Sequence, residues 1–312
     1  MTLHLVYRSY GGENRKRRPG YYSKLLTLSS FVRAAAQLPD ADVVFVNDGP
    51  IPETRLAIMK SRGRILSIGD APSGMRASYT YALGLPDREG WADEDVVMYL
   101  EDDYLFTEHA FIALDDAATH LPEASYFALY GERPDYLELA DRRRFSVPEG
   151  WHPQPDLVTR GRTWFNQAST TSTFGARVSA LRSDLDIFEQ CMRPFRKRFL
   201  DHESCLLVQG AIPYHGWQLV AGLPGDFEPS LRNIARAIVL VPYRFALNRR
   251  ARKQLRPHLL YAVTPNEATH LEHPVISPDR DWESLAHDVQ CWAASNFGRS
   301  IDTSRGTAGT AA

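Results

Sequence analysis

An α/β fold with a mostly parallel central sheet is what this sequence of 312 residues predicts, on three observations. Short apolar runs alternate with helix-length amphipathic segments from Leu3 to Leu121, the pattern of strands joined by crossover helices. One run, Val96-Val97-Met98-Tyr99-Leu100, stops abruptly in Glu101-Asp102-Asp103, as a buried parallel strand does where it emerges at the rim of its sheet. Polar residues suited to binding also stand at the ends of three of the strands, where open α/β sheets hold ligands.

In chain order, Leu3 to Tyr7 reads as the first strand, ending in Tyr7-Arg8-Ser9. Tyr21 to Leu38 reads as a helix with apolar residues at Leu25, Leu28, Phe31 and Val32. Val43 to Val46 is the second strand, closed by Asn47-Asp48-Gly49-Pro50, and Glu53 to Lys60 the second helix. Ile65 to Ile68 and Ser73 to Leu83 give the third strand and helix. The carboxylate strand is the fourth, and Thr107 to Leu121 its helix. The four strand ends are expected to line one crevice.

The carboxylates constrain the ligand. Three adjacent acids repel one another, and a hard divalent cation with oxygen ligands would give a reason to keep them together. The bland alternative is an acidic loop that solvates a strand end. No Gly-x-Gly-x-x-Gly follows the first strand and no P-loop motif occurs, which argues against a dinucleotide cofactor or a P-loop nucleotide. Asp48 suits hydrogen bonds from a base or ribose, although Asn-Asp-Gly-Pro is also an ordinary turn signal. Carboxylates after strand four suit a cation that bridges a diphosphate.

In this combination the chain resembles the GT-A class of nucleotide-sugar-dependent glycosyltransferases, in particular enzymes similar to family 2. The class's Asp-x-Asp motif is matched by Glu101-Asp102-Asp103 behind its hydrophobic strand, together with the Asn47-Asp48-Gly49 turn and the Gly74-x-Arg76-x-Ser78 helix start. The resemblance covers about residues 1–215 and is looser beyond. It implies a GT-A, Rossmann-like sheet flanked by helices, with a C-terminal acceptor or lid region. Residues 1–131 would form the donor-binding half, 132–300 the acceptor-binding and catalytic half of the same domain, and 301–312 a disordered tail.

Carried over residue by residue, the resemblance implies that Tyr7 and Arg8 flank the nucleotide base and Asp48 binds its edge. Asp102 would sit near the ribose. Asp103 would be the principal ligand of a Mn²⁺ or Mg²⁺ ion, with Glu101 touching it directly or through water. Arg76 and Ser78 would face donor phosphates or sugar, since a helix N-terminus with an adjacent Arg favours anionic oxygens.

The second half should supply the acceptor side. Ser169-Thr170-Thr171-Ser172-Thr173-Phe174-Gly175-Ala176 is β-rich and hydroxyl-rich, suited to a sugar pocket or to an ordinary Thr-rich strand. Phe199-Leu200-Asp201-His202-Glu203-Ser204 opens a short apolar helix that ends at Gly210, with Asp201 as its expected N-cap. Similar enzymes place an acidic pair at such a helix start, and one carboxylate deprotonates the acceptor hydroxyl. Asp201 is the first candidate for this base and Glu203 the second. The same resemblance brings a C-terminal histidine back to the metal, which makes His270 a candidate ligand and His215 a weaker one. Cys191, Cys205 and Cys291 are too scattered for a zinc site.

Composition agrees with a soluble cytoplasmic enzyme. A net charge of −2 gives no case for nucleic-acid binding. Three cysteines suit a reducing compartment, and no apolar run approaches the roughly 20 residues needed to span a bilayer. Two basic stretches stand out. Asn14-Arg15-Lys16-Arg17-Arg18 follows strand one, beside the crevice, where it would neutralise a diphosphate or form a solvated loop. Residues 232–256 carry Arg236, Arg244, Arg249, Arg250, Arg252, Lys253 and Arg256 among apolar residues. They read as a lid or homodimer contact, or as a segment lying on the inner face of a membrane, which would suit a lipid-linked acceptor. The expected activity is metal-dependent, inverting transfer from a nucleoside-diphosphate sugar, with a UDP-sugar favoured, to a saccharide, lipid-linked or small-molecule hydroxyl. A sugar nucleotidyltransferase and an inactive sugar-nucleotide-binding module are the alternatives.

Overall fold

The computed structural model describes residues 1–13, 16–132, 148, 151–193, 199–223 and 231–298. Its first part is β1 (Leu3–Tyr10), α1 (Lys24–Ala35), β2 (Asp42–Asp48), α2 (Glu53–Arg62), β3 (Arg64–Gly69), α3 (Met75–Leu83), α4 (Leu85–Arg88), β4 (Val96–Glu101), β5 (Tyr104–Phe106), α5 (Ala110–His120) and β6 (Ala124–Ala128). The second part adds β7 (Leu157–Thr159), β8 (Arg162–Asn166), β9 (Phe174–Arg177), α6 (Val178–Met192), α7 (Asp201–Val208) and α8 (Gln218–Ala221). It ends with α9 (Leu231–Val239), α10 (Val241–Ala251), β10 (Leu259–Thr264), β11 (Ala268–His270) and α11 (Trp282–Phe297). The expected α/β class and order of elements are observed. The tail 301–312 lies outside the described residues.

One sheet runs in the order β3-β2-β1-β4-β9-β6-β10-β8-β7. β3, β2, β1 and β4 are mutually parallel, and β6 pairs in parallel with β10. β9 runs antiparallel between β4 and β6, and β8 antiparallel between β10 and β7. Because β9 and β10 from the second part pair with β4 and β6 from the first, the two halves share one sheet.

Alternation along β1 shows how the sheet is sandwiched. Leu3, Leu5 and Tyr7 point into the layer that holds Phe31 of α1, Met59 of α2 and Phe111 of α5. Val6 points to the opposite layer, with Tyr79 of α3, Ile187 of α6 and Leu207 of α7. Both faces are covered, so β2 and β4 carry unbroken apolar runs, Val43–Val46 and Val96–Leu100. α1 starts where Ser23 Oγ accepts the Leu26 amide at 3.0 Å, a cap that satisfies one free N–H of the first turn. α11 is capped by Asp281 in the same way, and it packs Trp282, Ala286 and Val289 on Leu26, Leu105 and Leu271. That third cluster seats β11 against β5, which pair antiparallel with His270 opposite Tyr104.

Candidate active site

The C-terminal ends of β1, β2 and β4 open on one crevice of about 620 Å³, within the usual range for small-molecule sites. Arg8, Ser9 and Tyr10 line it from β1, Asp48 from β2, and Glu101, Asp102 and Asp103 from β4 and the turn after it. Pro72, Ser73, Gly74, Met75 and Ser78 form the opposite wall, and Lys16 reaches in from the β1–α1 loop.

Asp48 builds that wall. Its Oδ1 accepts the Ser73 amide at 2.6 Å and its Oδ2 the Gly74 amide at 2.8 Å. A Cβ on Gly49 would stand 2.9 Å from Pro72 at φ +80°, so glycine lets the two loops close on each other. Both oxygens of Asp48 are therefore engaged by backbone. These bonds position loop 70–74, and Asp48 lines the crevice beside it.

The three neighbouring carboxylates are separated, each with its own cation. Glu101 Oε1 lies 3.2 Å from Arg8 Nη2, and its Oε2 accepts from the Thr173 hydroxyl at 3.4 Å. Asp102 Oδ2 accepts from Lys24 Nζ and from the Tyr10 amide, each at 2.8 Å. Asp103 Oδ2 accepts from Arg18 Nη2 at 2.8 Å, and lies 3.1 Å from His270 Nε2 and 3.6 Å from Lys16 Nζ. The mutual repulsion that seemed to require a bound ion is thus met by the protein's own charges. Burial by itself raises the Asp103 pKa, but His270, Lys16 and Arg18 more than offset it and hold the carboxyl well below the usual range. At Asp102 burial prevails over Lys24 and the Tyr10 amide, and its pKa is raised.

The fit to a divalent cation rests on Asp103 and His270. Asp103 Oδ1 is buried with no hydrogen-bond partner. His270 is held beside it, stacked on Tyr104 with ring centroids 4.8 Å apart. Carboxylate oxygen with imidazole is a donor set that Mn²⁺ accepts. Among the described residues no group of three or more His, Cys, Asp or Glu side chains is arranged to hold a metal. Glu101 lines the same crevice and is paired with Arg8.

Several other expected site residues lie elsewhere. Tyr7 is fully buried, packed on Phe31 and Phe45, because the strand alternation turns it away from Arg8. Arg76 is exposed on α3 and does not line the crevice, while its neighbours Met75 and Ser78 do. Arg8 and Ser78 line the crevice, with the Arg8 guanidinium on Ser172 Oγ and over the Tyr79 ring. The segment 169–173 is loop, with strand only from Phe174. Its hydroxyls serve Arg8, Glu101 and the Tyr104 hydroxyl.

Asp201 is the first residue of α7, not its N-cap; Leu200 holds that position without a side-chain bond. Asp201 does not line the crevice; it lines a separate cavity of about 10 Å³ with Tyr79, Thr170, Thr171 and Ser204. Glu203 is buried and accepts from the Tyr214 hydroxyl, which ties α7 to the segment before α8 and removes it as a base facing the crevice. His215 bonds the Ile212 carbonyl, away from Asp103.

Tyr10 is the residue that sequence reasoning missed. It lines the crevice and is partly exposed, and Gly12 lies so close that a Cβ there would meet its hydroxyl at 2.5 Å and its ring at 2.6 Å. The period of two from Arg8 was the available signal, had the first strand been extended to Tyr10. Lys24, the partner of Asp102, carried no signal, since a lysine opening a helix is ordinarily solvated.

No protein-family model matches the chain, and no curated protein matches it. Solved structures do. The galactosyltransferase LgtC in complex with donor and acceptor sugar analogs matches at 14% identity over 94% of this chain and 95% of that one, with a TM-score of 0.44. S. aureus TarS 1-349 matches at 14% identity over 66% of this chain, with a TM-score of 0.40. The match spans 56% of the TarS chain, little more than half its length. M. tuberculosis glucosyl-3-phosphoglycerate synthase, in complex with Mn²⁺, UDP-glucose and phosphoglyceric acid, matches at 13% identity over 80% of this chain and 79% of that one, with a TM-score of 0.40. Likeness at this level assigns neither substrate nor mechanism.

Proposed function

We propose that this chain is a GT-A-like glycosyltransferase that moves a sugar from a nucleoside-diphosphate sugar, preferably a UDP-sugar, to an acceptor hydroxyl with inversion. The observation that supports it best is the juxtaposition of Asp102, Asp103 and Lys16 on one crevice of nucleotide-sugar size, with His270 held against Asp103 from behind and one Asp103 oxygen orphaned.

In this reading Tyr10 offers its ring to the base and Asp102 turns its remaining oxygen toward the ribose. Asp103 and His270 would hold a Mn²⁺ or Mg²⁺ ion, which supplies neutralising charge for the leaving diphosphate. Lys16, the partly exposed cation at the rim, and Arg18 add charge of the same sign where negative charge builds up on the departing phosphates. Ser78, in the first turn of α3, donates its hydroxyl to a donor oxygen. Asp201 takes the acceptor proton from the α7 side. The acceptor enters between α7 and loop 169–173, and the residues 132–300 contribute that half of the site.

The test is a thermal-shift series with nucleoside diphosphates, each with and without Mn²⁺, followed by donor turnover with simple sugar acceptors. A ligand at about 100 times its Kd stabilises the native state by about 2.7 kcal/mol. A Mn²⁺-dependent rise in Tm with UDP or a related diphosphate, and release of that diphosphate from its sugar conjugate, are expected. If no nucleoside diphosphate raises Tm under either condition, the reading fails.

A further inference from the structure

The region 217–256 has a surface that the proposed transfer does not use. α8, α9 and α10 pack on one another around the buried Arg244, whose Nη1 donates to the carbonyls of Leu219, Val220 and Ala237. Arg244 is therefore a structural clamp, and the segment is a bent helical cluster in place of one continuous amphipathic helix. Each helix leaves apolar side chains in solvent. Trp217 and Val239 are each 75% exposed, Ile238 61% and Phe245 56%. Single exposed apolar residues need no explanation, whereas a concentration of large ones on adjoining helices marks an interaction surface.

Charge identifies the partner. Between Glu228 and Glu267 the sequence has no carboxylate and eight Arg or Lys residues. Arg249, Arg252, Lys253 and Arg256 are exposed at or beyond the end of α10. A second copy of the chain is a poor occupant, because an isologous contact would set this strongly basic segment, whose nearest exposed carboxylate Asp186 is already paired with Arg250, against itself. An anionic bilayer complements both features, taking apolar and aromatic side chains at the headgroup level and binding Lys and Arg through its surface charge. Among the described residues no helix is long and apolar enough to cross a membrane, so the contact is one of docking onto the surface.

We infer that the α8–α10 cluster docks the protein on anionic lipid bilayers, with Trp217, Ile238, Val239 and Phe245 entering the interface and the basic residues of 249–256 meeting the headgroups. The cluster is linked to the acceptor side of the crevice: Asn248 bonds the backbone of Tyr214, and the Tyr214 hydroxyl bonds Glu203 on α7. Docking therefore holds the α7 side of the molecule near the bilayer.

The experiment is co-sedimentation of the full chain with phosphatidylcholine vesicles and with mixed phosphatidylcholine–phosphatidylglycerol vesicles, at low and high salt. Binding to the mixed vesicles alone, weakened by salt, is expected. Arg252→Gln with Lys253→Gln should lower the partition about 25-fold, at roughly fivefold for each surface charge. Ile238→Glu with Phe245→Glu should abolish it while leaving Tm within a few degrees of the parent, because both side chains are largely in solvent. Absence of binding to mixed vesicles at low salt overturns the inference. So does undiminished binding by the apolar variant, or conversion of a dimer to a monomer by that variant, which would make the surface a protein interface. None of these readouts depends on transferase activity, so failure here and failure of the proposed function are distinguishable.

Discussion

Replacing Asp103 with Asn tests the electrostatics and the chemistry of the crevice together. Arg18 Nη2 donates to Asp103 Oδ2 at 2.8 Å, and both side chains are at least nine-tenths buried. A hydrogen bond to a charged group contributes about 1.5–3 kcal/mol, and leaving a buried partner charge uncompensated raises the loss to about 3–5 kcal/mol. Asn keeps one oxygen acceptor for Arg18, so its cost belongs near the lower end, about 2 kcal/mol. Asp103→Ala keeps none and belongs near the upper end. Lys16 adds little, being more than a third exposed and screened by solvent. For a chain of this size about 2 kcal/mol lowers Tm by roughly 3 °C.

The pH dependence has a definite sign. The folded carboxyl titrates well below the about 3.9 of an unfolded aspartate. Its stabilisation is complete above that unfolded value and is lost as pH falls through the folded one. Urea unfolding of the two proteins should therefore differ most at neutral pH and converge in acid. The same variant should lose any Mn²⁺-dependent stabilisation by nucleoside diphosphate, because an amide oxygen is a much weaker ligand than a carboxylate. A Tm unchanged at pH 7, or metal-dependent nucleotide binding at full strength in Asp103→Asn, would refute the reasoning.

Other consequences can be measured separately. Tyr10→Ala should weaken nucleotide binding without metal by about 1–3 kcal/mol if a base stacks there, whereas Tyr7→Phe should leave affinity unchanged; equal effects in a titration of the two would show that Tyr10 is no platform. Asp201→Asn should retain donor affinity and lose roughly 10²–10⁴-fold in turnover, while Glu203→Gln, which loses the Tyr214 tie, should show mainly in Tm; a fully active Asp201→Asn places the base elsewhere. Burial pushes the Cys205 thiol up to about 12 and Cys191 well above its usual value, and Cys291 is exposed. A thiol reagent at pH 8 should therefore label one cysteine rapidly in the native protein and three in denaturant, since thiolate is the reacting form.

What the sequence disclosed tracks the range of the forces involved. Strands β1 to β4 and their helices were legible because each is set by local apolar periodicity. Their carboxyl ends were legible as a crevice because parallel sheets place ligands there. The roles of individual residues were less so. Tyr7 and Tyr10 differ in the face they present only by their distance along one strand, and ending β1 three residues early chose the buried aromatic in place of the one that lines the crevice. Asp48 and Asp102 looked free to bind ligand, but their partners, the Ser73 and Gly74 amides and Lys24, lie 25, 26 and 78 residues away. Pairings of that kind leave no periodic trace. His270 was found by resemblance alone, since nothing near Ala268-Thr269-His270 announces its neighbour.

The β5–β11 ribbon has a consequence for the order in which the protein is made. It joins Asp103 to His270 across 167 residues, and closing a chain segment of that length costs about 4–5 kcal/mol of chain entropy before any contact compensates. During synthesis the first four strands can pair while β11 is still unmade. Until α11 docks and seats the ribbon, Asp103 has Lys16 and Arg18 for company but no imidazole. The corner of the crevice that carries the proposed chemistry is thus completed only after α11 has been made, and ligand binding there reports that the chain through α11 has docked.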